Sequence, residues 1–224
     1  MQERAETTRK AVLVAAARLF EEYGYAGTSI SDVAKYSGYT SGALYFHFGS
    51  KEDLARSLVE EHFAHWPPVI AGCLERDGSA LERLVLLSLD VAREFRDHLL
   101  VRAGNRLWNE RHVISTELPV PFVGWIATVG DVLEEARGAG ELNPSIDVPR
   151  AARTVIAAFF GTHTVSDALC RREDVEEAVV DMWRLLLPAL QAVPDVEGCL
   201  SRVRLLSEAE RGAGVREEGA GVGG

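Results

Sequence analysis

The stretch from residue 28 to residue 54 reads TSISDVAKYSGYTSGALYFHFGSKEDL, a short apolar pattern punctuated by helix starts and stops. Its first Thr, Ser and Asp residues supply N-cap side chains for a short helix that ends at Gly38. Thr40 or Ser41 can cap a second short helix, which continues through Phe46. Two short helices joined by a tight turn containing glycine predict a helix-turn-helix, whose second helix enters the major groove of DNA.

Longer helices are predicted on both sides of this stretch. Residues 5–23 carry apolar side chains at three- and four-residue spacings, which is typical of an amphipathic helix, and Gly24 stands where it would end. Downstream, Ser50 and Asp53 resemble a capping box, and they predict a helix from residue 51 to about Trp66.

The remainder of the chain is also predicted to be helical. Pro67-Pro68 is expected to interrupt the preceding helix, because neither proline can donate a backbone hydrogen bond. Longer apolar-periodic segments then follow at about 79–111 (two helices), 119–138, 149–170 and 173–192. A short final helix is expected at about 196–206, and the Gly-rich residues 207–224 are expected to be disordered. No alternating β-branched pattern occurs, so the predicted class is all-α.

Charge and composition place few restrictions on a DNA-binding role. The net charge is −10, but residues 1–51 carry six Lys/Arg against five Asp/Glu, so the acidic excess lies beyond them. No apolar run reaches the ~18 residues of a membrane span, and the polar N-terminus does not resemble a secretory signal. A cytoplasmic location is therefore expected. Three widely separated cysteines argue against a disulfide framework or a zinc finger, and no cofactor is expected.

The second short helix supplies most of the candidate DNA contacts. Small residues at its start allow close approach to base edges and phosphates, and Lys51 lies near the next helix N-terminus, where phosphate is favoured. Phe46 has a second interpretation, since it could belong to the core together with Leu44 and Phe48. The candidate DNA-binding residues are Thr28, Thr40, Ser41, Gly42, Tyr45, Phe46, His47 and Lys51, and Ser31 offers a further hydroxyl.

The ordered string of motifs between Thr8 and Leu54 resembles the DNA-binding domain of the TetR family almost throughout. It includes AARLFEEYGY at residues 16–25, TSISDVA at 28–34 and GALYFHFGSKEDL at 42–54. Similar proteins often carry a small aliphatic residue at position 39 and a lysine at position 41. Tyr39 and Ser41 depart from this pattern, so the resemblance does not extend to the operator sequence.

The resemblance implies a helix-turn-helix DNA-binding domain at residues 1–65, a helical ligand-binding and dimerisation domain at 66–206, and a tail at 207–224. Within the family, further motifs resemble γ-butyrolactone receptors, which are repressors that respond to small lactone or furan signals and control antibiotic production. These motifs are RAGNRL at 102–107, PFVGW at 121–125, GEL at 140–142 and GTHTVS at 161–166.

This resemblance and the apolar pattern together give a candidate ligand site. Trp125 can form an apolar wall, while hydroxyls in otherwise apolar segments suit one carbonyl or hydroxyl of a ligand. The candidate ligand-binding residues are Trp125, Thr162, Thr128, His62 and Phe160, with Phe159, Trp108 and Val129 completing an apolar cleft. The alternative is that these aromatic and hydroxyl side chains are ordinary core residues.

The segments at 149–170 and 173–192 carry more apolar surface than one small domain covers. They are expected to form a two-fold four-helix interface in a homodimer, which would place two recognition helices ~34–36 Å apart.

Three other functions compete with a lactone-responsive repressor. No catalytic motif occurs at the needed spacing, so an enzyme is not expected. His62 and His65, beside Glu60 and Glu61, are spaced to share a metal in a metal-responsive repressor, although solvated side chains explain them as well. A pseudo-receptor with the same fold could instead sense an antibiotic or a biosynthetic intermediate.

Overall fold

The computed structural model describes residues 2–115, 117–118 and 122–220, with no side-chain description for residues 2–4 and 210–220. Within these ranges the chain forms ten α-helices, and its only β-structure is a bridge between Leu142 and Gln191. The helices are α1 (Gln2–Tyr23), α2 (Ile30–Ser37), α3 (Ser41–Phe48), α4 (Lys51–Leu74), α5 (Ala80–Asp97), α6 (Leu99–Asn109), α7 (Phe122–Gly138), α8 (Val148–Cys170), α9 (Val175–Leu190) and α10 (Val196–Ala220). The all-α prediction is confirmed. Pro119 and Pro121, at the start of the segment predicted at 119–138, lie outside the described residues.

The N-terminal unit consists of Met1–Pro68 together with Asp97–Pro121. Its core is built from side chains of α1, α3, α4 and α6, among them Phe20, Leu44, Leu58 and Leu107, which are all fully buried. The domain boundary predicted at residue 65 therefore omits part of this unit. Helix α6 belongs to this unit because Ala103 and Leu107 pack into the same core as α1. Full burial of a leucine side chain such as Leu107 stabilises the fold by about 1.5–3 kcal/mol.

Local capping fixes the helix-turn-helix as the sequence predicts. The Ser29 hydroxyl accepts from the Asp32 N–H while the Asp32 carboxylate accepts from the Ser29 N–H, a complete capping box at the start of α2. Gly38 ends α2 in the left-handed region, at φ 75°. Thr40 caps α3 by accepting from the Ala43 N–H.

The interruption predicted at Pro67-Pro68 does not occur, because α4 continues through both prolines to Leu74. Each proline removes one hydrogen bond to the carbonyl four residues earlier. Both prolines are exposed, so water can satisfy the carbonyl oxygens that they leave without a partner. The two prolines do remove backbone hydrogen bonds, as predicted, but the predicted end of the helix near Trp66 is wrong.

The C-terminal unit consists of Val69–Arg96 and Phe122–Gly224. In its core Trp183 of α9 is fully buried, and its indole N–H donates to the hydroxyl of Ser88 on α5 at 2.7 Å. Helix α10 extends to Ala220, so the expected end near residue 206 is too early, and residues 207–220 are helical instead of disordered. Residues 221–224 lie outside the described residues. None of Cys73, Cys170 and Cys199 forms a disulfide.

Candidate DNA-binding surface and ligand cavity

Helix α3 is anchored on one side and presents aromatic rings on the other. Leu44 and Phe48 are buried in the core of the N-terminal unit. In contrast Tyr45 is 53% exposed and Phe46 is 84% exposed, so the core interpretation of Phe46 is wrong. Gly42 is also exposed on this short helix. Two exposed aromatic side chains beside a glycine give α3 a surface that can contact another molecule closely.

Two basic residues, His47 and Lys51, come next along the chain. The half-buried His47 ring meets the Phe46 ring edge-on, with centroids 5.3 Å apart. The Lys51 ammonium lies 4.1 Å from the centroid of the Tyr25 ring, a cation–π contact that orients the lysine. Lys51 is also the first residue of α4, where unpaired backbone N–H groups favour an anion.

The structure does not support a phosphate contact from the Thr28 hydroxyl. Thr28 is buried, and its Oγ1 donates to the carbonyls of Leu19 and Gly24 at 3.1 and 2.9 Å. This hydroxyl fastens the turn after α1. Thr40 is exposed, but its oxygen already accepts from the Ala43 N–H.

Replacement of Thr28 by valine should therefore lower stability and leave DNA contacts intact. Thr28→Val keeps the shape and removes the hydroxyl, so the free energy of unfolding should fall by about 1 kcal/mol. Urea denaturation measures this effect, with Ser31→Ala, a change at an exposed hydroxyl on α2, as the control that should leave stability unchanged. A Thr28→Val protein of unchanged stability but weaker DNA binding would restore the phosphate role.

The C-terminal unit contains a partly open apolar cavity of about 30 Å³. Trp125 and Phe160 line it, as predicted, and so do Val129 and Phe159. Ser88 carries the one hydroxyl of the wall, and this hydroxyl donates to the Val85 carbonyl and accepts from the Trp183 indole N–H. The other lining residues, which the sequence does not predict, are Leu84, Leu87, Ser88, Val91, Val155, Ile156 and Trp183. The α5 residues could have been found only as the buried face of an amphipathic helix.

Three predicted ligand-binding residues do not line this cavity. Thr128 and Thr162 are half-buried elsewhere on α7 and α8. His62 belongs to the N-terminal unit, where α4 and α6 approach so closely that a Cβ at Gly104 would lie 2.3 Å from the His62 Cβ. Burial lowers the pKa of His62 to about 4, so the imidazole is neutral near pH 7. The buried His62 is therefore part of the packing between α4 and α6.

Trp108, suggested for the same cleft, does not line it either. The Arg111 guanidinium stacks over the Trp108 ring at 4.1 Å from the centroid, within the N-terminal unit.

His62 and His65, the pair that could share a metal ion by their sequence spacing, contact different neighbours. The Nε2 atom of His62 accepts from the Trp66 indole N–H at 3.4 Å. The His65 ring instead stacks on His98, with centroids 4.4 Å apart. The two rings therefore have separate partners, and these contacts do not support a metal site shared by His62 and His65.

Helices α8 and α9 pack together and leave large apolar side chains uncovered. On α8, Val165 is 57% exposed and Leu169 is 79% exposed, and on α9 Leu185 is 81% exposed. The spacing of Val165 and Leu169 places both on one face of the helix. An apolar face of this kind is typical of a surface that a partner covers.

Comparisons with known proteins agree with this architecture. Residues 12–58 match the model of bacterial regulatory proteins of the tetR family, and residues 78–194 match the tetracyclin repressor-like C-terminal domain. The A-factor receptor protein of Streptomyces griseus is 34% identical over 224 residues, which cover 99% of this chain and 78% of that protein.

Solved structures show the same similarity. One, described as the molecular basis for control of antibiotic production by bacterial hormones, is 42% identical with a TM-score of 0.77, covering 83% of this chain and 98% of that one. Another is CprB from Streptomyces coelicolor in complex with its operator sequence, 30% identical with a TM-score of 0.78, covering 91% of this chain and 98% of that one.

The chain belongs to the TetR family of bacterial regulatory proteins. It is a ligand-responsive DNA-binding repressor, and the expectation that it is not an enzyme is confirmed, since the family consists of transcriptional regulators. Within the family it is similar to γ-butyrolactone receptors, as the sequence motifs indicate. Regulators of this family bind operator DNA as dimers. Among the described residues no helix is long and apolar enough to cross a membrane.

Proposed function

We propose that this repressor binds a pseudo-palindromic operator as a homodimer in the cytoplasm and is released by a small γ-butyrolactone, butenolide or furan signal. The observation that carries the proposal is the apolar cavity walled by Trp125 and Phe160 in the unit that matches the C-terminal family domain. Its receptor-like relatives supply the ligand class, and they favour control of antibiotic production as the role.

The chemistry of the cavity fits a mainly apolar molecule with few polar groups. Aliphatic and aromatic side chains form nearly all of its wall, and Ser88 is already bonded to Trp183 and to the Val85 carbonyl. An ion would be desolvated here without a partner, at a cost of several kcal/mol. A lactone or furan with an alkyl chain would bury that chain and bring only one or two oxygens.

The test is release of operator DNA by defined compounds. An operator selected from random duplexes is bound to the protein and titrated with synthetic γ-butyrolactones, butenolides and furans in a gel-shift assay. Release at low concentration by one class supports the proposal. Mass spectrometry of co-purifying molecules is the second readout. Release by an antibiotic or a biosynthetic intermediate alone would show a pseudo-receptor instead.

For the DNA surface we propose contacts from Ser41, Gly42, Tyr45, Phe46, His47 and Lys51. The support is the exposure of Tyr45 and Phe46 on α3 and the position of Lys51 at the N-terminus of α4. Lys51 contacts a phosphate, which positions the protein without specifying sequence. Tyr45 and Phe46 contact the groove, where apolar rings meet sugar and thymine methyl groups.

Lys51→Ala should weaken binding to every operator sequence alike. Losing one phosphate contact per protomer reduces the slope of log K against log salt by about 0.9 for each contact. Fluorescence anisotropy at several salt concentrations measures the slope. Arg56→Ala is the matched control, because Arg56 lies on the same helix and is paired with Asp53 and Glu60. Equal slopes for wild type and Lys51→Ala would contradict the contact.

A further inference from the structure

Tyr25 lies at a junction of three helices in the N-terminal unit. It follows Gly24 in the turn after α1 and is only 6% exposed. Its backbone N–H donates to the Glu110 carboxylate, which follows α6, at 2.6 Å. Its hydroxyl donates to the Glu52 carboxylate in the first turn of α4 at 2.8 Å. One residue thus connects the end of α1, the end of α6 and the start of α4.

The backbone of this junction is held firmly from the α6 side. Arg106 pairs with Glu110 at 3.0 Å and also donates to the Glu21 carbonyl near the end of α1. Gly24 leaves the necessary space, since a Cβ there would lie 2.7 Å from the Glu110 Oε1 atom. Its φ of 74° is also in the region that favours glycine. The backbone at Tyr25 is therefore held by α1 and α6, independently of its contacts with α4.

The Tyr25 side chain in turn holds the two charged residues that open α4. The Lys51 ammonium lies over the ring, 4.1 Å from its centroid, while the hydroxyl holds the Glu52 carboxylate. The hydrogen bond from Tyr25 lowers the pKa of Glu52 most, and hydrogen bonds from the Glu52 backbone and from Ser50, with the nearby Lys51 charge, lower it further, so this carboxylate is ionised near pH 7. Burial and the neighbouring carboxylate raise the pKa of Tyr25, so the phenol remains a donor.

This arrangement matters because the two charges have opposite effects on a phosphate. Lys51 attracts it, and the backbone N–H groups at the start of α4 favour any anion within reach. A free Glu52 carboxylate beside Lys51 would occupy that position itself, neutralise the ammonium and repel the phosphate. The Tyr25 hydroxyl donates a hydrogen bond to the Glu52 carboxylate, and the Tyr25 ring makes a cation–π contact with the Lys51 ammonium.

We propose that Tyr25 is a positioning residue for DNA binding, which separates the Glu52 carboxylate from the Lys51 ammonium and so presents Lys51 to a phosphate. This inference rests on the proposed phosphate contact of Lys51. Tyr25 itself does not touch the DNA. Its hydroxyl determines how much of the positive charge at the start of α4 is available to the operator.

The experiment compares Tyr25→Phe, Glu52→Gln and the double variant for operator affinity across salt concentrations, with thermal melting followed by circular dichroism. Tyr25→Phe keeps the ring and removes the strongest of the hydrogen bonds that hold the Glu52 carboxylate, so operator affinity should fall by roughly three- to tenfold at low salt, as expected for about one charge-assisted contact. Glu52→Gln alone should bind as wild type or more tightly. The double variant should recover wild-type affinity, because the amide no longer competes with the phosphate.

Rescue separates a positioning role from a structural one. If Tyr25→Phe weakened binding by loosening the turn, Glu52→Gln would not restore the affinity, and that result would overturn the proposal. Unchanged affinity in Tyr25→Phe would overturn it as well. Lys51→Ala keeps the two failures apart, since it alone tests the phosphate contact. Arg102→Gln is the control for the junction, because Arg102 of α6 pairs with Glu21 of α1.

Discussion

Leu185→Arg is expected to convert the dimer to a monomer and to weaken operator binding by a factor on the order of 10²–10⁴. Leu185 lies on α9 and is 81% exposed, and Val165 and Leu169 of the neighbouring α8 are exposed as well. In a two-fold interface each substituted residue occurs twice, so one change places two guanidinium groups in an apolar contact. Removing such charges from water without partners costs several kcal/mol.

The size of the effect on DNA follows from the dimer. Each protomer carries one α3, and a pseudo-palindromic operator presents two half-sites. Once one half-site is bound, the second is engaged at high effective concentration, so a monomer loses the whole of this gain without losing any contact of its own. Its helix-turn-helix remains folded and retains weak, salt-sensitive binding.

Light scattering after size-exclusion chromatography measures the mass, and a gel shift measures the affinity. Leu205→Arg is the matched control, since Leu205 is a leucine of α10 in the same unit and is 65% exposed. If both variants stayed dimeric, the α8–α9 face would not be the interface. If Leu205→Arg alone became monomeric, α10 would carry it.

The helix-turn-helix was predictable because its signals are local. The Ser29–Asp32 capping box, the left-handed Gly38 and the Thr40 cap act within four residues, and each is present in the structure. The periodicity of the flanking helices was equally readable. Tyr25 was not singled out, because its partners Glu52 and Glu110 lie 27 and 85 residues away along the chain.

The errors arose where local patterns meet tertiary packing. Pro67 and Pro68 lack N–H donors, but both are exposed, so water can replace the missing hydrogen bonds and α4 continues. Thr28 looked like a cap and phosphate ligand, yet its hydroxyl is buried against two carbonyls. The sequence also gives no sign that α6 belongs with the N-terminal helices, since that assignment depends on Leu107 reaching a core built mainly from residues before 60.

The cavity was predicted in part for the same reason. Trp125 and Phe160 stood out as large aromatic residues in segments with receptor-like motifs, and both line the wall. The α5 contribution depends on which face of that helix meets α7 and α8, which only the folded unit determines. Thr128 and Thr162, whose hydroxyls stood out in apolar segments, lie outside the lining of this cavity.

Trp125→Ala is expected to keep operator binding nearly intact while raising the ligand concentration needed for release by roughly 10- to 150-fold. A ligand releases DNA only to the extent that it binds the DNA-incompetent state more tightly than the competent one. Trp125 is 8% exposed and forms part of the cavity wall. Losing the apolar contact of this side chain removes about 1.5–3 kcal/mol of ligand binding, and each 1.4 kcal/mol is about a tenfold change.

The release curve in a gel-shift titration is the measurement, with the same synthetic lactone or furan for every variant. Trp125→Phe should lie between wild type and Trp125→Ala, because it keeps an aromatic wall of smaller area. Thr128→Val, on the same helix, and Thr162→Val are the controls, and both should leave the curve unchanged, since neither residue lines the cavity. A shift with Thr162→Val would return its hydroxyl to the site. If Trp125→Ala abolished folding or operator binding outright while Trp125→Phe released normally, Trp125 would be a core residue, because removing a buried tryptophan costs about 3–5 kcal/mol of stability by itself.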